Sequence, residues 1–407
     1  MSQRWLSIIG IGEDGRSGLT ATANGLIDAA ELVVGGRRHL NLVGPVRGRQ
    51  MQWAMPLEAT SAEILRYRGR PVAVLASGDP FWFGAGATLA RSIPVEEMLV
   101  LPAPSCFALA AGRLGWALQD TVTLGLNMPG FTSLVRRHLH DGRQILALAL
   151  NGETAGELAQ ILMSSGYGRS KIVVMEALGG PRERIRSAAA EGFNIPDIDP
   201  LNVIGIEVHS DTGAMAIPYA AGLPDSYFEN DGQLTKREVR AVTLSSLQPC
   251  PGELLWDVGA GSGSIGIEWM LAHSASRAIG IERDTIRAER ARRNAVALGV
   301  PQFEIRLGAA PEALAGLPAP DAVFIGCSAA GGGVIDVCWA ALKPHGRIVV
   351  NGVTLESEAA LLAAYHHYGG TLTRIGVERT EQIGRRMVWR PALPVIQWVC
   401  KKSQGGQ

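Results

Sequence analysis

At 407 residues the chain exceeds one ordinary hydrophobic core and implies two or three domains. Its 38 basic residues are matched by 38 acidic ones, so no global field recruits nucleic acid or anionic lipid, and 47% hydrophobic residues with 50 glycines suit an α/β architecture rather than disorder. The five scattered cysteines, Cys106, Cys250, Cys327, Cys338 and Cys400, form no Cys-x-x-Cys pair, which argues against disulfides and a cysteine zinc site; without a signal peptide or an apolar run near the roughly 20 residues of a membrane span, the expected compartment is a reducing cytoplasm.

Trp5-Leu6-Ser7-Ile8-Ile9 predicts a strand that meets the glycine turn Gly10-Ile11-Gly12-Glu13-Asp14-Gly15. A helical pattern follows from Leu19-Thr20 through Ile27 to Ala30, then a strand at Leu32-Val33-Val34 that stops at Gly35-Gly36, so the chain begins βαβ. Arg37-Arg38-His39 comes next. Pro71 to Ala76 is a third buried strand, closed by Ser77-Gly78-Asp79-Pro80, because proline cannot continue a central ladder. Phe81 to Thr88 then brings backbone and aromatic surface beside that turn. Beyond Leu99-Val100-Leu101, Pro102-Ala103-Pro104-Ser105 caps a helix containing Leu109 and Leu114. Further strands are expected at 122–126, 144–150, 171–175 and 201–206, with a helix at 154–164. These make one two-lobed α/β domain over 1–206, followed by an aperiodic linker over 207–232.

A second domain spans 233–407. Thr235 and Glu238 have capping-box spacing ahead of an apolar helix face at Val239, Val242, Leu244 and Leu247. Leu254 to Val258 is a buried strand that runs into Gly259-Ala260-Gly261-Ser262-Gly263 and then a helix starting near Ser264. Strands at 278–282, 303–307, 322–326 and 347–351, with an Arg-rich helix at 283–298, give a doubly wound sheet. Two late strands, near Thr371 to Glu378 and near Pro394 to Val399, lack an intervening helix and are expected to pair antiparallel at the edge.

The glycine loop lets backbone approach a ligand closely, but such loops serve nucleotides, dinucleotides and sulfonium cofactors alike. Glu282, closing the second strand, can accept both hydroxyls of a ribose in either NAD or S-adenosylmethionine. Asp257 breaks the tie. A carboxylate at the loop entrance repels a pyrophosphate and suits a sulfonium cation bearing an ammonium group.

Residues 233–399 resemble the class I methyltransferases, and among them the decarboxylating subunit of cobalamin biosynthesis, through Leu234 to Arg240, Asp257 to Gly263 and Gly308-Ala309-Ala310-Pro311-Glu312-Ala313-Leu314. Residues 4–206 resemble a tetrapyrrole methylase through Ile9 to Gly12, Ser77 to Pro80 and Pro102 to Ser105. Their fusion resembles the two-domain decarboxylating methyltransferases of the aerobic cobalamin pathway. That resemblance implies precorrin-6Y as substrate, methylated at C-5 by the first domain and at C-15 by the second, with loss of the ring C acetate carboxyl to give precorrin-8. It implies one S-adenosylmethionine per domain and a homo-oligomer. Thr235, Asp257, Gly259, Ala260, Gly261, Ser262, Gly263, Glu282, Ala309 and Ala310 would bind the cofactor in the second domain; Gly10, Gly12, Gly78, Asp79, Gly84, Ala87, Thr88 and Ser105 would do so in the first. Ala309 stands where the family often has an acidic residue, Cys327 where it has glycine, and Asn127 where it tends to have histidine.

Methyl transfer to an electron-rich meso carbon needs positioning more than acid–base help, which fits the lack of an evident triad or metal cluster. Adjacent His366-His367 diverge on a helix and are a poor metal pair. A proton donor for decarboxylation is not identified; Glu268, Glu312 and Tyr365 qualify only by type. Binding a polycarboxylate calls for arginines, and the candidates are Arg385-Arg386 first, then Arg37 and Lys236, although each taken singly reads more readily as a solvated loop or helix face. Asp79 could serve simply as a turn residue and Ser105 as a helix cap. The alternatives are a methyltransferase acting on RNA or protein with an accessory first domain, and a dinucleotide-dependent oxidoreductase. An RNA surface on the Arg283-to-Arg293 helix lacks an aromatic stacking platform.

Overall fold

Continuous apolar runs become the inner strands of three sheets, in a computed structural model that describes residues 4–54, 57–326 and 333–403. The chain divides into two units, Met1–Thr132 with His138–Met215, and Ser133–Arg137 with Ala216–Gln407.

In the first unit, β1 (Leu6–Ile11), β2 (Leu32–Gly35), β3 (Arg49–Gln52), β4 (Val72–Ser77) and β5 (Met98–Leu101) form a parallel sheet in the order β3-β2-β4-β1-β5. All six residues of β1 are buried, as a central parallel strand covered on both faces requires. The crossovers carry α1 (Ala21–Ala29), α2 (Arg37–Val43), α3 (Leu57–Leu65) and α4 (Ala85–Leu89). A second, mixed sheet has the order β6-β7-β10-β8-β9, from β6 (Val122–Gly125), β7 (Gln144–Leu148), β8 (Lys171–Glu176), β9 (Arg184–Ala189) and β10 (Asn202–Glu207). Phe107, Ala110 and Ala111 of α5 (Cys106–Leu114) pack on Leu146, Val173, Met175 and Val203 of that sheet; α6 (Thr154–Ser164) connects β7 to β8. The expected strands are present; the added ones, β3 and β9, are exposed edges with no apolar run to announce them.

The second unit contains α7 (Arg237–Leu247), β11 (Leu254–Val258), α8 (Ser264–Ala272), β12 (Arg277–Glu282), α9 (Thr285–Ala297), β13 (Glu304–Leu307), β14 (Ala322–Ile325), α10 (Val334–Ala341), β15 (Arg347–Gly352), α11 (Leu355–Tyr368) and β16 (Thr371–Ile375), then β17 (Glu378–Ile383), β18 (Arg386–Pro391) and β19 (Val395–Lys401). Its sheet order is β13-β12-β11-β14-β15-β19-β16, with β19 antiparallel to both β15 and β16. The doubly wound sheet with an antiparallel edge is therefore the architecture formed. The chain leaves β11 toward β12 on one side and returns to β14 on the other, which opens a crevice at the carboxyl ends of β11 and β14. The segment between the late strands, which carries no helix, forms a separate hairpin, β17–β18.

Two local expectations are corrected. The helix after Thr235 has Lys236 at its N-cap with no side-chain cap bond, so no capping box forms. Arg240 takes the Thr235 carbonyl, and Glu238 is engaged by Arg379. The aperiodic stretch before it is partly core: Ile217, Leu223 and Phe228 are buried with Leu244, Leu247 and Trp269.

Candidate functional site

Asp257 is the penultimate residue of the fully buried β11, and after Val258 the chain turns through Gly259 (φ 77°), Gly261 (φ 57°) and Gly263 (φ 78°) into α8. Three left-handed residues in five explain the glycines, since a side chain would be strained at each. Asp257 Oδ2 accepts the Gly266 N–H at 2.9 Å, which ties the strand end to the first turn of α8. Burial raises the Asp257 pKa to about 7; the Gly266 hydrogen bond opposes the rise and the Glu282 charge adds to it. Glu282, at the end of β12, accepts N–H bonds from Gly261 at 2.8 Å and Asp284 at 2.9 Å.

A cavity of about 860 Å³ opens over these groups, within the size range of small-molecule sites. Thr235, Lys236, Asp257, Gly259, Ala260, Gly261, Ser262, Glu282, Ala309 and Ala310 line it; Gly263 sits behind, where an added Cβ would lie 3.0 Å from Phe303. Its buried wall is acidic, with Asp257 1% and Glu282 5% exposed. Lys236, Arg283, Arg287, Arg379 and Arg390 line it too, all on more exposed elements. Paired buried carboxylates suit a cationic sulfonium nucleoside and would oppose a pyrophosphate.

Asn351, at the end of β15, also lines the cavity. Its Nδ2 donates to Thr243 Oγ1 at 3.0 Å and its Oδ1 accepts from Gln397 Nε2 at 3.0 Å, so a buried network fixes the amide. Its signal in the sequence is an asparagine near the close of an apolar strand run, which alone does not point to a ligand.

The sequence-level substrate arginines fall elsewhere. Arg385 lies in the turn of the β17–β18 hairpin and Arg386 begins β18; both are exposed and neither lines the cavity. Arg379 and Arg390 of the same hairpin do. Arg37 is exposed on α2, while its neighbour Arg38 ion-pairs with Glu13 and donates to Ser77 Oγ at 2.7 Å. Of the acid–base candidates, Glu268 is buried against Arg240 and accepts N–H bonds from Gly222 and Leu223. It braces α7, α8 and the 222–223 segment. Glu312 is exposed, Tyr365 is 38% exposed on α11, and none of the three lines the cavity. Cys327 lies outside the described residues.

In the first unit, three turns at the carboxyl ends of β1, β4 and β5 meet through backbone. Gly78 N–H donates to Ile11 O at 3.2 Å and Ala103 N–H to Gly78 O at 3.1 Å. A Cβ on Gly10 would lie 1.9 Å from Gly78 O, so only glycine permits this approach. Gly12 adjoins the Asp14 carboxylate, and Gly84 packs over Pro80 O ahead of α4, which carries Ala87 and Thr88. Asp79 Oδ1 accepts Phe81 N–H at 2.9 Å as a turn residue, and Ser105 caps α5 by accepting Ala108 N–H at 3.1 Å. Beside these turns His39 Nε2 lies 2.8 Å from Ser77 Oγ; burial, then the Arg38 charge, lowers its pKa to about 4, so the imidazole is neutral. Asn127 is exposed just beyond β6.

A family model described as Tetrapyrrole (Corrin/Porphyrin) Methylases matches residues 6–192, and one described as Precorrin methyltransferase domain matches residues 226–402. A protein of Sinorhizobium sp named precorrin-6Y C(5,15)-methyltransferase [decarboxylating] is 51% identical over 98% of this chain and 97% of its own length. Two others each match less than half of the chain. A probable cobalt-precorrin-6B C(15)-methyltransferase (decarboxylating) of Pyrobaculum calidifontis is 38% identical over 44% of this chain and 96% of its own. A cobalt-precorrin-7 C(5)-methyltransferase of Salmonella typhimurium is 27% identical over 46% of this chain and 92% of its own. With both family models placed in tandem and one relative matched over nearly its whole length, the chain belongs to the precorrin-6Y C(5,15)-methyltransferase (decarboxylating) family.

Proposed function

We propose that the chain methylates precorrin-6Y at C-5 and C-15 with S-adenosylmethionine and removes the carboxyl of the ring C acetate, giving precorrin-8. The second unit carries C-15 methylation and decarboxylation, and the first carries C-5 methylation. The observation that carries the reading is the second-unit cavity, whose glycine turn and acidic wall of Asp257 and Glu282 fit a sulfonium nucleoside. The two shorter relatives support the division, since each is named for one of the two methylations and nearly all of its length is matched by less than half of this chain.

S-adenosylmethionine supplies an electrophilic methyl group. Glu282, already oriented by two backbone N–H groups, would accept the ribose hydroxyls, and Asp257 would hold the cationic end. The turn 259–263 brings backbone close, and Asn351 holds a fixed amide at the cavity wall. The chain's contribution is near-attack alignment of the two reactants, which can supply several kcal/mol of the barrier. In the first unit the Gly10, Gly78 and Ala103 turns form the corresponding backbone floor. A homo-oligomer in the cytoplasm completes the proposal. Supporting it, no helix among the described residues is long and apolar enough to cross a membrane, and the hairpin face bearing Met387 (64% exposed) and Trp389 (68% exposed) offers apolar surface to a second copy; light scattering on the purified chain reads the oligomeric state.

Mass spectrometry of product from the full chain, precorrin-6Y and S-adenosylmethionine tests the reaction. The expected change is a gain of two methyl groups and loss of one carbon dioxide. Glu282→Gln is expected to leave one methylation and abolish carbon dioxide release. An unmodified substrate with the native chain refutes the function; a Glu282→Gln enzyme that still decarboxylates refutes the division.

A further inference from the structure

The second-unit cavity carries acidic groups on its buried wall and two Arg–Glu pairs on its exposed side. Its buried wall holds Asp257 and Glu282, whereas the β17–β18 hairpin brings two arginines to the exposed side. Arg379 and Arg390 are direct cross-strand partners in the hairpin register, and both line the cavity. Partners in this position place their Cβ atoms about 5 Å apart, where like charges repel. Each guanidinium is steadied by a carboxylate from a different direction: Glu238 of α7 meets Arg379, and Glu381 of β17 lies 3.3 Å from Arg390 Nε. One N–H of Arg379 and two of Arg390 are used in these pairs, out of five on each side chain. The side chains remain 51% and 65% exposed. Glu238 and Glu381 also line the cavity and offset the two positive charges, so what the pair presents to an incoming anion is its set of unused N–H donors at the cavity edge.

We propose that Arg379 and Arg390 form a clamp for one side-chain carboxylate of the tetrapyrrole, and that the clamped carboxylate is one the product keeps. The inference rests on the function proposed above. Decarboxylation moves charge from the leaving carboxylate into the conjugated ring system as the carbon–carbon bond breaks. Two guanidiniums on the leaving group would stabilise the starting state more than the transition state and slow the step. On a retained acetate or propionate they orient the ring and cost nothing at the reacting carbon. A planar guanidinium fork gives directional recognition of carboxylate that an ammonium does not reproduce.

The full-length double variant Arg379→Gln/Arg390→Gln tests the clamp. KM for precorrin-6Y is expected to rise about tenfold or more, with kcat falling less than about threefold. S-adenosylmethionine affinity and the ratio of carbon dioxide released to methyl transferred should match those of the native chain. Arg379→Lys/Arg390→Lys should restore part of the KM. A KM within twofold of native overturns the proposal, as does a parallel loss of S-adenosylmethionine affinity, which would place the pair on the cofactor's carboxylate. A changed carbon dioxide-to-methyl ratio overturns the retained-carboxylate assignment. If the native chain fails to turn over precorrin-6Y, the function fails separately, and the clamp is judged by absorbance titration with uroporphyrin. Weaker uroporphyrin binding by the glutamine variant then upholds the clamp, and equal binding refutes it.

Discussion

Replacing Asp257 with asparagine should remove a titration while keeping a hydrogen bond. The residue is 1% exposed, and its Oδ2 holds the Gly266 N–H at 2.9 Å, a bond an asparagine Oδ1 can keep. Burial, against that bond and with the Glu282 charge, lifts the carboxyl from its ordinary 3.8 to about 7. The unfolded chain therefore releases this proton near the lower value and the folded chain near the upper one. Between them the native state binds more protons, so the free energy of unfolding falls as pH rises through the window. The full interval is worth roughly 4 kcal/mol against the cofactor-free native state. Below the window the contribution vanishes; above it the cost is complete.

Asp257→Asn carries no such cost. In urea unfolding of the cofactor-free chain, the variant should match the native protein near pH 4 and exceed it by up to about 4 kcal/mol near pH 8. A cationic cofactor reverses the sign of the effect. It favours the ionised carboxylate, so native binding should release protons below about pH 7 and tighten as pH rises, whereas the asparagine variant should bind more weakly without that slope. Calorimetry in two buffers of different ionisation enthalpy counts the protons. An Asp257→Asn chain that keeps the native pH slope of stability between about pH 4 and 7 would falsify the assignment of that slope to this carboxyl.

Gly266→Ala should destabilise the second unit by about 1–3 kcal/mol. The new methyl would lie 2.3 Å from Phe303 Cζ, and that ring is itself buried in the core; an unchanged melting temperature would contradict the packing described. Arg240→Ala should cost about 3–5 kcal/mol in urea unfolding, because it leaves the buried Glu268 charge with backbone partners alone. Adding Glu268→Gln should recover part of the loss, and a double variant no more stable than Arg240→Ala would show that the uncompensated charge is not the cause.

What the sequence disclosed depended on whether backbone or side-chain register sets the feature. β1, β4, β11 and β14 are buried on both faces, so their apolar runs are continuous and visible. β3, with Arg49-Gln50-Met51-Gln52, and the β17–β18 hairpin are solvated, so no periodicity marks them. The same division runs through the site. The glycines of 259–263 are required by positive φ, and Gly10 by its approach to Gly78 O; both needs are written into composition. Arg240 lies in the charged run Lys236-Arg237-Glu238-Val239-Arg240 and looks solvated, yet it is 0% exposed because Glu268, on the next helix, meets it. The hairpin arginines follow the same logic. Arg385-Arg386 attract notice as adjacent cations before a strand, but Arg385 sits in the turn, Arg386 begins β18, and neither lines the cavity. Arg379 and Arg390 stand 11 positions apart and become partners only when the register is known. The proposed carboxylate clamp therefore depends on strand pairing, the level of structure that local sequence clustering conveys least.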